Sequence, residues 1–231
     1  MKNRTFLMGD IHGMYDKLMA CLQAVNFDYT NDTLIQLGDV VDRGPDSYLV
    51  VEELLKIKNL IAVRGNHDDC WVNGLFMYKE DYQNQADVFL LYNQGARETL
   101  QSYTRRGINP MNHIDFFNIQ VPYYIDKNNN CFVHGGFNRH TIIENQIHND
   151  LLWDRDLWHA ARSYDQMRNT EQHPFKNKNK FQEIFIGHTP TTHFDSKEPL
   201  KAANIWNIDT GCGKGGLLTI MNLETKEYKQ F

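Results

Sequence analysis

Cysteine is scarce in this chain. Four of 231 residues are cysteine (Cys21, Cys70, Cys131 and Cys212), widely spaced and without a CxxC pair. That spacing excludes a zinc ribbon and argues against a disulfide framework, so reduced thiols of a cytoplasmic protein are expected. None of the four opens a phosphate-binding CxxxxxR loop, so a thiolate nucleophile has no support. Long apolar runs are also missing. None approaches the ~20 residues of a membrane span, and the stretch after the basic start is too short for a signal peptide. No charge sign dominates: 24 Lys+Arg stand against 29 Asp+Glu, a net charge of −5, which argues against a general nucleic-acid binder. No internal repeat or long linker interrupts the chain. With 41% hydrophobic and 23% charged residues, the composition is that of a globular protein, read as a single α/β domain over residues 1–231.

What the chain does have is a recurring pattern. A short apolar run ends at a Gly or a His, and ligand-type side chains follow. It occurs as Phe6-Leu7-Met8-Gly9-Asp10, Leu34-Ile35-Gln36-Leu37-Gly38-Asp39, Ile61-Ala62-Val63-Arg64-Gly65-Asn66, Cys131-Phe132-Val133-His134-Gly135 and Ile184-Phe185-Ile186-Gly187-His188. Each run reads as a buried strand, and the polar residues fall at strand carboxyl ends, where open α/β sheets place their sites. Apolar spacing predicts helices over about 14–25 and 47–57, the second with Asp46 or Ser47 as N-cap. Residues 5–64 thus form a βαβαβ unit with parallel pairing. Residues 68–107 read as mostly helical, and strands are expected at 121–126, 131–134, 183–187, 204–209, 216–222 and 226–230. The Asn/Lys-rich stretch 176–180 reads as an exposed loop.

Asp10, His12, Asp39, Asn66, His134 and His188 all follow such strands. Two carboxylates, three imidazoles and an amide, with no thiolate, suit borderline divalent ions such as Mn²⁺, Fe²⁺ or Zn²⁺. Six protein ligands exceed what one tetrahedral ion takes, whereas two ions sharing a carboxylate accommodate them. Such a pair can clamp a phosphoryl group and generate hydroxide at neutral pH.

In order along the chain stand Gly9-Asp10-Ile11-His12-Gly13, Gly38-Asp39-Val40-Val41-Asp42-Arg43-Gly44, Gly65-Asn66-His67-Asp68, His134-Gly135-Gly136 and Gly187-His188-Thr189-Pro190. Together they resemble the signature blocks of the phosphoprotein phosphatases, within the calcineurin-like metallophosphoesterases. The segments Leu151-Leu152-Trp153-Asp154-Arg155 and Ile208-Asp209-Thr210-Gly211-Cys212 are most similar to the small bacterial and phage serine/threonine phosphatase branch. The resemblance implies a four-layer α/β fold: a central β-sandwich flanked by helices. It implies two divalent metals, with Mn²⁺ the expected ion. Asp10 and His12 would bind the first, Asp39 would bridge, and Asn66, His134 and His188 would bind the second. His67 would be the general acid, oriented by Asp42, and Arg43 and Arg155 would grip phosphate oxygens.

The bland readings are caps and turns for the aspartates, a structural pair for Asp42 with Arg43, and a surface pair for Arg155 with Asp154 or Asp156. Arg64 is read as approaching the phosphate or as structural. His113, His140, His148, His159, His173 and His193 lie outside every block and are expected to be structural. One position departs from the protein-phosphatase pattern: Asp68 stands where Glu is usual. Symmetrical diadenosine tetraphosphatases usually carry Asp there, but they usually lack the acid that Asp42 supplies. The expected activity is therefore hydrolysis of phosphomonoesters, phosphoserine and phosphothreonine in proteins first, by attack of a dimetal-bound hydroxide. A symmetrical dinucleoside polyphosphate hydrolase is the alternative, and an inactive scaffold the remaining reading. The expected partner is a phosphorylated protein or another phosphoester substrate.

Overall fold

The computed structural model describes residues 3–80, 94–167 and 175–231. Alternation along each strand explains the architecture. Phe6 and Met8 of β1 (Thr5–Met8) join one buried cluster, while Leu7 between them joins another. In β2 (Thr33–Gln36), Leu34 and Ile35 divide the same way. Both faces of these strands are apolar, so each face must be covered. One face receives helices α1 (Tyr15–Ala24) and α2 (Ser47–Leu54), through Leu18, Leu22, Val50 and Leu54.

The other face meets a second sheet. There Phe132 of β5 (Cys131–Val133) and Phe185 of β6 (Ile184–Ile186) stack at 5.1 Å and pack with Leu7, Ile35 and Ile208. Cys131, Val133, Ile184 and Ile186 point the opposite way, toward α6 (His148–Trp153) and α7 (Asp156–Gln166). The result is helix, sheet, sheet, helix, as expected.

The first sheet runs β10–β9–β1–β2–β3, with β3 at Asn59–Ala62, β9 at Thr219–Asn222 and β10 at Tyr228–Gln230. β1, β2 and β3 are parallel, which bears out the βαβαβ unit, and β9 is antiparallel to β1. The second sheet runs β4–β5–β6–β8–β7, with β4 at Tyr123–Ile125, β7 at Leu200–Ala202 and β8 at Ile205–Asn207. Its central pairs are parallel and its edges antiparallel.

Some expectations change. The strand expected at 121–126 is divided between the sheets: Val121 bridges Val63 beside the first, and only Tyr123–Ile125 pairs in the second. β7 was not expected, because Leu200-Lys201-Ala202 is an edge strand of three residues, too short for its alternation to stand out. Asp46 is the N-cap of α2 by position, but its carboxylate accepts from Arg106 Nη2 at 2.9 Å and not from the helix. The region 68–107 holds α3 (Asn66–Glu80), α4 (Ala96–Thr104) and residues outside the described set. A short helix α5 (Ile114–Asn118) follows. Residues 175–180 form a loop, in which Asn177 and Asn179 accept from Phe181 N and Ile143 N.

Candidate active site

The ligand-type side chains converge where the parallel strands of both sheets end. Asp10 and His12 follow β1; Asp39, Asp42 and Arg43 follow β2; Asn66 and His67 open α3. His134 follows β5 and His188 follows β6. Turning each strand end sharply enough needs unusual backbone. His12, Asp39, Asp42, Arg43 and His188 all have left-handed φ, between 49° and 72°. Such conformations are unfavourable for residues with a Cβ, and they persist because neighbouring backbone fixes them. His12 N donates to Asp39 O at 2.9 Å, Gly44 N to His12 O at 2.9 Å and Arg43 N to Gly95 O at 3.2 Å. Gly38 is required as glycine: φ is 92°, and a Cβ would stand 2.7 Å from the Gly65 backbone and from His134 Nδ1.

Two backbone carbonyls aim the imidazoles. His12 Nδ1 donates to Val41 O at 2.9 Å, and His134 Nδ1 donates to Leu37 O at 2.7 Å. Each bond puts the proton on Nδ1 and leaves the Nε2 lone pair directed into the cluster. His134 Nε2 lies 2.9 Å from Asn66 Oδ1 and 3.4 Å from Asp39 Oδ1, and His188 Nδ1 lies 2.9 Å from the same Asn66 oxygen. Acceptors that face one another in this way call for a cation among them, a metal ion or a proton on His134 Nε2. Near His12 a guanidinium provides one, because Arg43 Nη1 donates to His12 Nε2 at 2.6 Å and Nη2 to His67 Nε2 at 2.7 Å. Two three-donor groups fit metal ions: His12, Asp39 and His67, and Asp39, His134 and His188. Asp39 belongs to both, the position of a shared carboxylate. The donors are oxygen and nitrogen only, which fits borderline divalent cations.

The expected first-metal pair was Asp10 and His12. In the structure the three-donor group around His12 contains Asp39 and His67. Asp10 is buried beside it, accepts the His188 N–H at 3.1 Å and faces Asp209.

Charge is distributed unevenly in this buried cluster. Burial would raise the Asp39 carboxyl, but His134, His67 and His12 together hold it well below the usual carboxylate range. Burial and then Asp209 push Asp10 well above that range, and burial pushes Asp209 itself to about 6. Burial works against the charged form of His134, yet Asp39, Asp10 and the Leu37 carbonyl outweigh it and raise the imidazole to about 10. Burial and the neighbouring His134 instead hold His188 down to about 2. The site thus favours positive charge beside Asp39.

His67 and Asp42 form a buried pair, with His67 Nδ1 donating to Asp42 Oδ2 at 2.7 Å. Thr99 on α4 fixes the acid by donating to Asp42 Oδ1 and accepting from Asp42 N, both at 2.8 Å. Sequence reasoning missed Thr99, which lies far from every block. Asp68 accepts from Asp39 N, Val40 N and Gly65 N at 2.9–3.2 Å, and from Gln120 Nε2 at 3.0 Å. It therefore clamps the turn that carries Asp39, although burial and Asp39 raise its own carboxyl to about 6.

Arg43 and Arg155 line one cavity of about 650 Å³ with Asp39, Asn66, His67 and His188. Among the described residues no ion pair joins Arg155 to Asp154, whose carboxylate accepts from Leu157 N at 3.0 Å. Arg64 is structural, donating to Phe117 O at 2.5 Å. His113 is structural too, buried between Tyr103 Oη at 2.9 Å and Glu52 Oε1 at 2.8 Å. His140 is exposed, His148 reaches Asp69 at 3.3 Å, His159 packs edge-on to Phe194, and His173 lies outside the described residues. His193 is exposed on a turn near the cavity, a place its sequence context did not reveal. Among the described residues no helix is long and apolar enough to cross a membrane.

Residues 4–225 match the model of the calcineurin-like phosphoesterases. The chain belongs to that family. Family members have a dinuclear metal centre, and the two three-donor groups stand where this chain would hold it. Over 65 residues the chain is 49% identical to a symmetrical bis(5'-nucleosyl)-tetraphosphatase of Photorhabdus laumondii subsp. laumondii. Over 74 residues it is 40% identical to the protein of that name in Wigglesworthia glossinidia brevipalpis. These stretches cover 28% and 32% of this chain, and about a quarter of either relative (24% and 26%). Among solved structures, one described as a candidate diadenosine tetraphosphatase superposes with a TM-score of 0.68 at 18% identity, covering 100% of this chain and 94% of that one. A protein serine/threonine phosphatase from Saccharomyces cerevisiae gives 0.58 at 17% identity, covering 100% and 80%. At such identities the structural likeness establishes the fold. The chain is a metallophosphoesterase hydrolase by family.

Proposed function

We propose that this metallophosphoesterase hydrolyses symmetrical dinucleoside polyphosphates of the diadenosine tetraphosphate type, releasing two nucleoside diphosphates. The names of the relatives that are 40–49% identical carry this reading. The cavity is consistent with it, since it holds three cationic side chains, Arg43, Arg155 and Lys214, beside the ligand cluster, and Trp153 on its wall offers an aromatic face. The sequence put phosphorylated proteins first. We rank them second, retained on one observation: the buried His67–Asp42 pair suits an alkoxide leaving group that needs a proton.

Two divalent cations, Mn²⁺ foremost, would supply Lewis acidity and a hydroxide at neutral pH. Asp10, His12, Asp39, Asn66, His134 and His188 would hold them, with Asp39 shared. Arg43 would exchange its bonds to His12 and His67 for bonds to phosphate oxygens, and Arg155 would grip from the facing wall. His67, oriented by Asp42, would then carry a proton on Nε2 and pass it to the leaving oxygen. Parallel assays with diadenosine tetraphosphate, a phosphoserine peptide and p-nitrophenyl phosphate test the order of the readings. Two molecules of ADP per tetraphosphate, at a higher kcat/KM than for the peptide, are expected. A preference for the peptide would reverse the order.

A further inference from the structure

Beyond the ligand cluster the cavity has a second cationic edge. Lys214 ends the 3-10 turn Cys212–Lys214, which is held against the site. Its backbone is pinned by Lys214 N to Gly211 O at 2.8 Å, by Cys212 Sγ to Ile11 O at 3.5 Å, and by Lys17 Nζ to Gly216 O at 2.6 Å. The turn packs so closely that a Cβ at Gly213 would stand 2.6 Å from His12 Cγ and 2.9 Å from Arg43 Cδ. The lysine is therefore carried by a fixed backbone next to Arg43, with its side chain exposed at the cavity mouth.

Arg155 comes to the same cavity from the start of α7, and the turn Thr191–Phe194, which carries His193, follows the wall residue Pro190. After the effect of burial, Lys214 and then Arg155 hold the His193 imidazole below its ordinary value. Among the described residues, neither Arg155 nor Lys214 is paired with a carboxylate. The acid on the cavity wall outside the ligand cluster is Glu98 on α4, and among the described residues it forms no ion pair with Arg155 or Lys214. Unpaired cations gathered at one edge repel one another, and an anion bridging them removes that repulsion.

We propose that Lys214, on the same cavity wall as Arg155, forms a subsite for a phosphate adjoining the one that Arg43 and Arg155 grip, so that Lys214 selects polyphosphate over monophosphate ligands. This rests on the polyphosphate reading of the cavity. Lys214 acts on binding of the neighbouring phosphate and takes no part in bond cleavage. A contact made by one exposed ammonium to a doubly charged phosphate is expected to change affinity by about fivefold to tenfold.

AMP and ADP share a nucleoside and differ by one phosphate, so their affinity ratio isolates this subsite. Calorimetric titration of the Mn²⁺-loaded protein with each nucleotide, with Mn²⁺ in excess, gives the ratio for the wild type, Lys214→Ala and Lys214→Arg. The wild type should bind ADP about tenfold more tightly than AMP. Lys214→Ala should bring the two within about twofold, and Lys214→Arg should keep most of the preference. Because the readout is a ratio, a uniform loss of affinity cancels. A wild-type ratio near one, an unchanged ratio in Lys214→Ala, or binding of neither nucleotide overturns the subsite. Failure to cleave diadenosine tetraphosphate, with the ADP preference intact, would overturn the proposed substrate and leave the subsite standing.

Discussion

Replacing His67 with asparagine removes the ring that stands between Asp42 and the cavity. His67 and Asp42 are 2% and 1% exposed, and their bond is 2.7 Å long. A positioned acid contributes about 10²–10⁴-fold when the leaving oxygen is basic. Serine alkoxide is strongly basic, p-nitrophenolate is stable as an anion, and the terminal phosphate of a nucleoside diphosphate is only weakly basic. His67→Asn should therefore lower kcat by about 10²–10⁴-fold on a phosphoserine peptide, and clearly less on p-nitrophenyl phosphate and diadenosine tetraphosphate. Asp42→Asn keeps the ring but removes a buried charge-assisted hydrogen bond, worth about 1.5–3 kcal/mol. The corresponding loss is about 10- to 150-fold, with the same skew between substrates. Steady-state kinetics on the three substrates, with metal content measured in each variant, provides the comparison. Equal losses for His67→Asn on all three, at wild-type metal content, would refute the acid role and make His67 a ligand or phosphate-positioning residue. Its place in a three-donor group with His12 and Asp39 is the geometry that would then matter.

Three further outcomes are expected. Thr99→Val removes the hydroxyl that both donates to and accepts from Asp42, so thermal unfolding should show a loss of about 1–3 kcal/mol, with kcat falling on the phosphoserine peptide more than on p-nitrophenyl phosphate. Asp39→Asn should lower metal content per chain more than Asp10→Asn, because Asp39 belongs to both donor groups; equal content would count against a shared ligand. In metal-free protein the raised His134, at about 10, binds its proton more tightly folded than unfolded, so its contribution to stability is full below about pH 6.5 and is lost as pH rises toward 10. At lower pH the raised Asp68 and Asp209 oppose the lowered His188, and toward pH 9 the thiols of Cys21, Cys131 and Cys212, pushed up by burial, add a loss of the same sign, so the clean window lies between about 6.5 and 8. The melting temperature should fall across that window, by at most about 3–5 °C per unit, and His134→Gln should flatten the slope.

Much of this was legible in the sequence because it is local. Short runs such as Phe6-Leu7-Met8 and Cys131-Phe132-Val133 are apolar at every position, which identified strands covered on both faces, and the polar residues after them fell together at the strand ends. What escaped depends on contacts across the fold. Thr99 and Gln120 matter because α4 and the segment before β4 bring them onto Asp42 and Asp68, 57 and 52 residues away along the chain. Lys214 matters because its turn places it at the cavity edge, and it carries no mark of that in its own neighbourhood. The closeness of His67 to His12 and Asp39 likewise depends on side-chain direction, which strand-end position does not determine.

If two cations sharing Asp39 drive hydrolysis of a phosphoester in this cavity, turnover depends on both. Chelator-stripped protein, given diadenosine tetraphosphate and back-titrated with Mn²⁺, tests it most directly through initial rate and product analysis. The expected results are no turnover without metal, a rate that saturates at two equivalents of Mn²⁺ per chain, and ADP as the product. Full turnover by the stripped protein, or saturation at one equivalent, would contradict it.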